Sequence, residues 1–115
     1  MDNEKTKVAF FIERKCRKSI SGQTLPREVT AVFVDSGNYL MKDCYAHDGQ
    51  HGVCAVDWID DSCRAATYAE YCGLMDELQN LVGYNLEVID GEWWLKVAMR
   101  GVKERRDYYS NGRAA

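Results

Sequence analysis

Nowhere in the 115 residues is there a long apolar run. The longest, residues 8–12, holds five side chains (Val-Ala-Phe-Phe-Ile). A membrane-spanning helix needs roughly 20, so no membrane role is expected. The first residues, Met-Asp-Asn-Glu-Lys, lack a basic segment followed by an apolar one. A secretion signal is therefore not expected, and a cytoplasmic location is. There is no glycine-rich phosphate loop, dinucleotide fingerprint or serine-centred nucleophile elbow, which removes the enzyme classes that depend on them. Internal repeats and low-complexity runs are missing too. The cysteines, at 16, 44, 54, 63 and 72, are odd in number, so reduced thiols are expected rather than a complete disulfide framework.

What is present has the length of one domain and, at 46% hydrophobic and 29% charged, an ordinary globular composition. The net charge of −3 is unevenly spread: +3 over residues 1–34, −10 over 35–92 and +4 over 93–115. An acidic middle argues against nucleic-acid binding by the body of the domain and leaves the basic C-terminal end as the part able to touch phosphate.

Residues 6–14 alternate with period two and read as a strand; 19–26 is a loop by composition, and 29–34 (Val-Thr-Ala-Val-Phe-Val) is a second strand, pairing antiparallel with the first. Residues 39–47 and 51–58 read as two more strands, and 59–66 as a connection. Residues 67–82 predict a helix: Thr67 and Glu70 form a capping box, and Tyr68, Tyr71, Leu74, Met75, Leu78, Leu81 and Val82 make one apolar stripe. Gly83 supplies the left-handed residue that ends it. A strand at 84–89 runs into Asp90-Gly91, a two-residue hairpin signal that would pair Val88 with Trp93 and Leu86 with Leu95. A helix from Trp93 is the alternative. Residues 100–115 read as a basic, flexible tail. The expectation is an α+β fold over residues 1–99: an antiparallel sheet of four to six strands, one main helix at 67–82 on one face, and the other face solvated or used in association.

Residues 44–54, Cys-Tyr-Ala-His-Asp-Gly-Gln-His-Gly-Val-Cys, hold both histidines and two cysteines. The spacing Cys-x2-His-x3-His-x2-Cys invites a zinc reading. A hairpin disfavours it. With Asp48–Gln50 as a three-residue loop, His47 faces His51 on one side and Cys44 faces Cys54 on the other. With Asp48-Gly49 as the loop, Cys44 joins His51 and His47 joins Cys54 on opposite faces. No metal, cofactor or catalytic residue is assigned on these grounds. A thiol enzyme using a Cys/His pair, or a metal-dependent one using the acidic residues 43, 48, 57, 60 and 61, is the alternative to a binding role. Trp94, on the outer face of the expected hairpin, is a candidate contact residue.

The order Val29-Thr-Ala-Val-Phe-Val-Asp35, Tyr45-x-His47-x-Gly49-Gln50-His51-Gly52, Arg64-Ala-Ala-Thr67-x-x-Glu70-Tyr71, Leu74-x-x-Glu77-Leu78 and Gly83-Tyr84-Asn85-Leu86-Glu87-Val88 resembles a family of small uncharacterised proteins encoded in phages, plasmids and integrated mobile elements of gut-type bacteria. It covers about half the chain, residues 29–88, and departs from the family pattern at Ala65, where proline is usual. The resemblance implies a genomic setting and no activity. It also implies that Tyr45, His47, Gln50 and His51 belong together, as a structural corner or a polar recognition site. The expected function is that of a binding or accessory protein acting on a macromolecule. A protein partner, nucleic acid through the tail, and a homodimer are the partners that remain open.

Overall fold

Strand β1 (Thr6–Glu13) carries large apolar side chains on both faces, so it needs cover on both. The computed structural model, which describes residues 4–112, provides it. Strands β2 (Arg17–Lys18) and β3 (Thr24–Leu25) form a small hairpin of their own. The main sheet adds β4 (Val29–Phe33), β5 (Met41–Ala46), β6 (Gln50–Ala55), β7 (Cys63–Ala65) and β8 (Leu86–Val88). Its order is β6-β5-β4-β1-β7, with β8 also on β1. Strand β1 pairs antiparallel with β4 along one side; along the other it pairs antiparallel with β7 at Phe11–Glu13 and parallel with β8 at Thr6–Val8. The fold is α+β around a six-stranded mixed sheet.

On the first face, Val8, Phe10, Ala31, Phe33 and Tyr45 meet Leu74 and Leu78 of helix α2 (Tyr68–Asp76) and its π-helical continuation, Glu77–Val82. The Tyr71 ring stacks on Phe10, with centroids 4.3 Å apart. The helix starts as its sequence dictates. The Thr67 hydroxyl accepts from the Glu70 N–H, and the Glu70 carboxylate accepts from the Thr67 N–H at 2.9 Å. The expected stripe holds from Tyr71 to Leu78; Tyr68, in the first turn, is exposed. A π-turn closes its hydrogen bonds one residue later than an α-turn, which rotates the residues beyond it, and Leu81 and Val82 end up exposed. Gly83, at φ +102°, then ends the helix.

The second face is the one expected to be bare. It is covered by α1 (Val56–Ser62), within a segment expected as strand and loop, and by α3 (Gly91–Gly112). Ala9, Phe11, Val32 and Val34 pack there with Ile59 of α1 and with Trp94 and Leu95 of α3. The Asp90-Gly91 pair thus begins a helix in place of a hairpin turn, for one local reason and one tertiary. The Asp90 carboxylate accepts from the Trp93 N–H at 3.1 Å, the arrangement of a helix N-cap. Gly91 sits where a Cβ would lie 3.3 Å from both Ala65 Cβ and Phe11 Cζ. Two turns after Leu95, Val102 is buried. Beyond it, Arg106 pairs with Asp57 at 3.0 Å and Arg105 lies 4.5 Å over the Tyr39 ring. Of residues 100–115, expected as a flexible tail, 100–112 are therefore helix, held to the domain at Val102, Arg105 and Arg106; residues 113–115 lie outside the described part.

Removing the cap tests this account. Asp90→Ala should lower the unfolding free energy by about 1 kcal/mol, and Asp90→Ser by much less. Urea denaturation measures both; equal stabilities would contradict the capping role.

Candidate functional site

Strands β5 and β6 form a hairpin whose register pairs Ala46 with Gln50, Tyr45 with His51, Cys44 with Gly52 and Lys42 with Cys54. The loop is His47-Asp48-Gly49, one residue earlier than the expected three-residue loop. It closes on Gln50, which takes φ +50°, the left-handed conformation that Gly49 was suited to supply. Neither expected register occurs, but the separation of residue types does. Tyr45 and His51 share the face under α2, whereas Cys44 and Cys54 belong to the other.

On the first face, polar side chains stitch the hairpin to the π-turn. Glu77, the first residue of that turn, accepts from the Tyr45 hydroxyl on one carboxylate oxygen and lies 2.6 Å from His47 Nδ1 on the other. His51 Nε2 is 2.9 Å from the Tyr84 hydroxyl, just past Gly83. The His51 ring also meets Tyr45 edge-on, with centroids 4.9 Å apart, and the Tyr84 ring lies 5.2 Å from Phe33. Glu77 is the hub. Its side chain is 15% exposed, and both oxygens are engaged. Hydrogen bonds from Tyr45 and then His47 hold its carboxyl below the usual range. In return, the Glu77 carboxylate raises both the Tyr45 hydroxyl and the His47 imidazole.

Tyr45, His47 and His51 are thus brought together. Gln50 contributes the backbone turn. Trp94 lies elsewhere: it turns inward against Phe11, ring centroids 5.9 Å apart, and the exposed member of the pair is Trp93. Glu77 and Tyr84 were not picked out as site residues, because Glu77 falls on the polar side of the predicted helix. Both stand in the run of motifs on which the resemblance was drawn, beside Leu78 and Gly83, and that was the available signal.

A second carboxylate is neutralised nearby. Glu70 is held at about 2, first by Arg64, which binds it through two hydrogen bonds of 2.8 and 2.7 Å, and then by the Thr67 amide.

Cys44, Cys54 and Cys63 pack in the second core, whereas Cys16 is exposed. Cys54 is pushed up by its hydrogen bond to Cys44 and by burial, and burial pushes Cys63 up to about 11. The histidine side chains of the hairpin bond to Glu77 and Tyr84 on the opposite face, so no imidazole serves these thiols as a base. Among the described residues, no group of three or more His, Cys, Asp or Glu side chains could hold a metal ion.

The outer edge of β6 ends the sheet, with a groove on each side. One, about 500 Å³, is lined by Thr6, Phe33, Asp43, His51, Val53 and Tyr84. The other, about 350 Å³, is lined by Glu28, Thr30, Ala46, Cys54, Ala55 and Trp58 among others. Both reach Cys44, Gly52 and Val53, so they flank the same strand.

Comparison with protein families, curated proteins and solved structures finds no match for the chain.

The His47–Glu77 contact predicts a particular pH dependence. A raised histidine stabilises the fold fully below its unfolded pKa of about 6.5, and the effect fades as pH rises through the folded value. A lowered carboxyl stabilises it above about 4.5 and loses the effect as pH falls through the folded value. The contact is therefore strongest between these limits. NMR titration should place His47 above the free-histidine value, and Glu77→Gln should bring it down. An unchanged His47 titration in that variant would disprove the contact.

Proposed function

We propose that this chain is a binding protein that takes up an extended segment of a protein partner along the outer edge of β6, in the bacterial mobile-element setting its sequence resembles. The observation that carries this reading is the unguarded edge itself. Edge strands are ordinarily blunted by lysine, proline, a bulge or shortness. Residues 50–55, Gln-His-Gly-Val-Cys-Ala, form a strand of six residues with no Asp, Glu, Lys, Arg or Pro, and Val53 is 62% exposed.

A segment added to such an edge gains affinity from main-chain hydrogen bonds and specificity from pockets for its alternate side chains. The two grooves beside β6 meet the second requirement. One offers aromatic surface at Phe33, His51 and Tyr84, the other Trp58 and the small side chains of Ala46 and Ala55. Asp43 in the first groove favours a partner with apolar side chains interspersed with Lys or Arg.

The thiol-enzyme alternative loses support because the imidazoles and thiols lie on opposite faces. Phosphate binding by the C-terminal end loses support because Arg105 and Arg106 are already engaged with Tyr39 and Asp57. Among the described residues no helix is long and apolar enough to cross a membrane.

Selection of a displayed library of eight-residue peptides should enrich segments alternating apolar and basic residues. Val53→Lys should weaken the selected peptides at least about 10-fold, since like charge then faces the incoming strand. Amide shifts on binding should concentrate at residues 50–55. Absence of enrichment, or shifts elsewhere, would contradict the proposal. So would a dimer that Val53→Lys dissociates, because a second copy would then occupy the edge.

A further inference from the structure

The hairpin β2–β3 forms a two-stranded sheet separate from the main one, and at its root Arg17 and Leu25 share a cavity with His47 and Asp48. It leaves the domain between Glu13 and Glu28. From residue 14 to residue 25 it carries Arg14, Lys15, Arg17 and Lys18 and no acidic side chain. Its root is anchored: Arg14 Nε donates to the Cys63 carbonyl at 2.9 Å, and Arg17 lies 3.2 Å from Glu13 and 3.7 Å from Glu28. Its tip is a built turn. The Ser19 N–H donates to the Gln23 carbonyl at 2.8 Å and the Gly22 N–H to the Ser19 carbonyl at 2.9 Å, while the Ser19 hydroxyl accepts from the Gln23 N–H at 3.1 Å. Gly22 holds the φ of +85° that the turn requires. On this organised tip Ile20 stands fully exposed.

We propose that this arm binds duplex DNA, with the two-stranded ribbon in a groove and Ile20 as an apolar wedge against the base pairs. A DNA groove admits a two-stranded β-ribbon, and isoleucine is among the side chains that proteins press between base steps. The composition favours DNA over a lipid surface. Ile20 is the single apolar side chain of a tip otherwise made of Ser19, Ser21, Gly22 and Gln23, all able to hydrogen-bond in a groove. An interfacial anchor needs a broader apolar face. The charge of −10 over residues 35–92 keeps the middle of the domain off the phosphates; on the arm, Arg14 and Arg17 brace the root, which leaves Lys15 and Lys18 as the cations that meet phosphate. Binding should therefore weaken by roughly 10-fold between about 50 and 200 mM salt, as expected for two phosphate contacts.

The test uses the full chain and a fluorescein-labelled duplex of about 20 base pairs carrying 2-aminopurine, read by anisotropy and by 2-aminopurine emission. Wild type should bind at low salt, with the stated salt dependence and a rise in emission as bases unstack. Ile20→Ser should abolish that rise while far-UV circular dichroism stays native. Lys15→Gln/Lys18→Gln should reduce the log–log salt slope by about two. Lys103→Gln, on α3, should change neither readout. Four results would overturn the proposal: no binding at about 50 mM salt, binding indifferent to the arm variants, loss of binding in Lys103→Gln, or capture by phosphatidylserine vesicles with no response to the duplex.

Discussion

The structure depends on the burial of β1 from both sides. Val8 and Phe10 enter the core under α2, and Ala9 and Phe11 enter the core under α1 and α3. One strand thereby fixes the positions of helices that lie on opposite faces of the sheet. Its hydrogen-bonding capacity is used on both sides as well, by β4 on one and by β7 and β8 on the other. The sheet therefore ends on one side in the short strands β7 and β8, beside the start of α3, and on the other in the six-residue β6.

The open end is held rigidly. Strand β5 is paired with β4, but β6 has a strand partner on one side alone, so its place depends on side chains as well. Here Glu77 accepts from Tyr45 and contacts His47, and Tyr84 meets His51, so the strand and the turn are tied to the π-turn by side chains from one face. Cys44 and Cys54 tie the other face to the second core. The histidine motif thus serves first to hold an edge strand in place. The tie is satisfied within the chain, which leaves the outer backbone edge of β6 as the part with capacity to spare.

Much of this was legible in the residues. The strands at 29–34 and 84–89, the capping box at Thr67 and Glu70 and the stop at Gly83 all follow from local periodicity and turn chemistry. Three features were not. Asp-Gly is equally fit to turn a hairpin and to cap a helix, and the choice at Asp90 was made by packing against Ala65 and Phe11, remote in sequence. The basic residues after Arg100 resemble a tail until Asp57 and Tyr39 are seen to receive Arg106 and Arg105. The π-turn rotates Leu81 and Val82 outward, a change that a 3.6-residue period cannot express. The candidate site was found at the right hairpin, but its hub, Glu77, comes from 30 residues further along the chain.

The central claim is that β6 is a rigid strand with an open edge, and amide hydrogen exchange of residues 50–55 tests it most directly. Antiparallel strands direct successive N–H groups to opposite sides. The account predicts alternation: amides facing β5 are protected, and those facing outward exchange at rates typical of loops. Uniform protection in the free monomer would show the edge already covered, and uniformly fast exchange would show a hairpin not held in place. Either result would contradict the account.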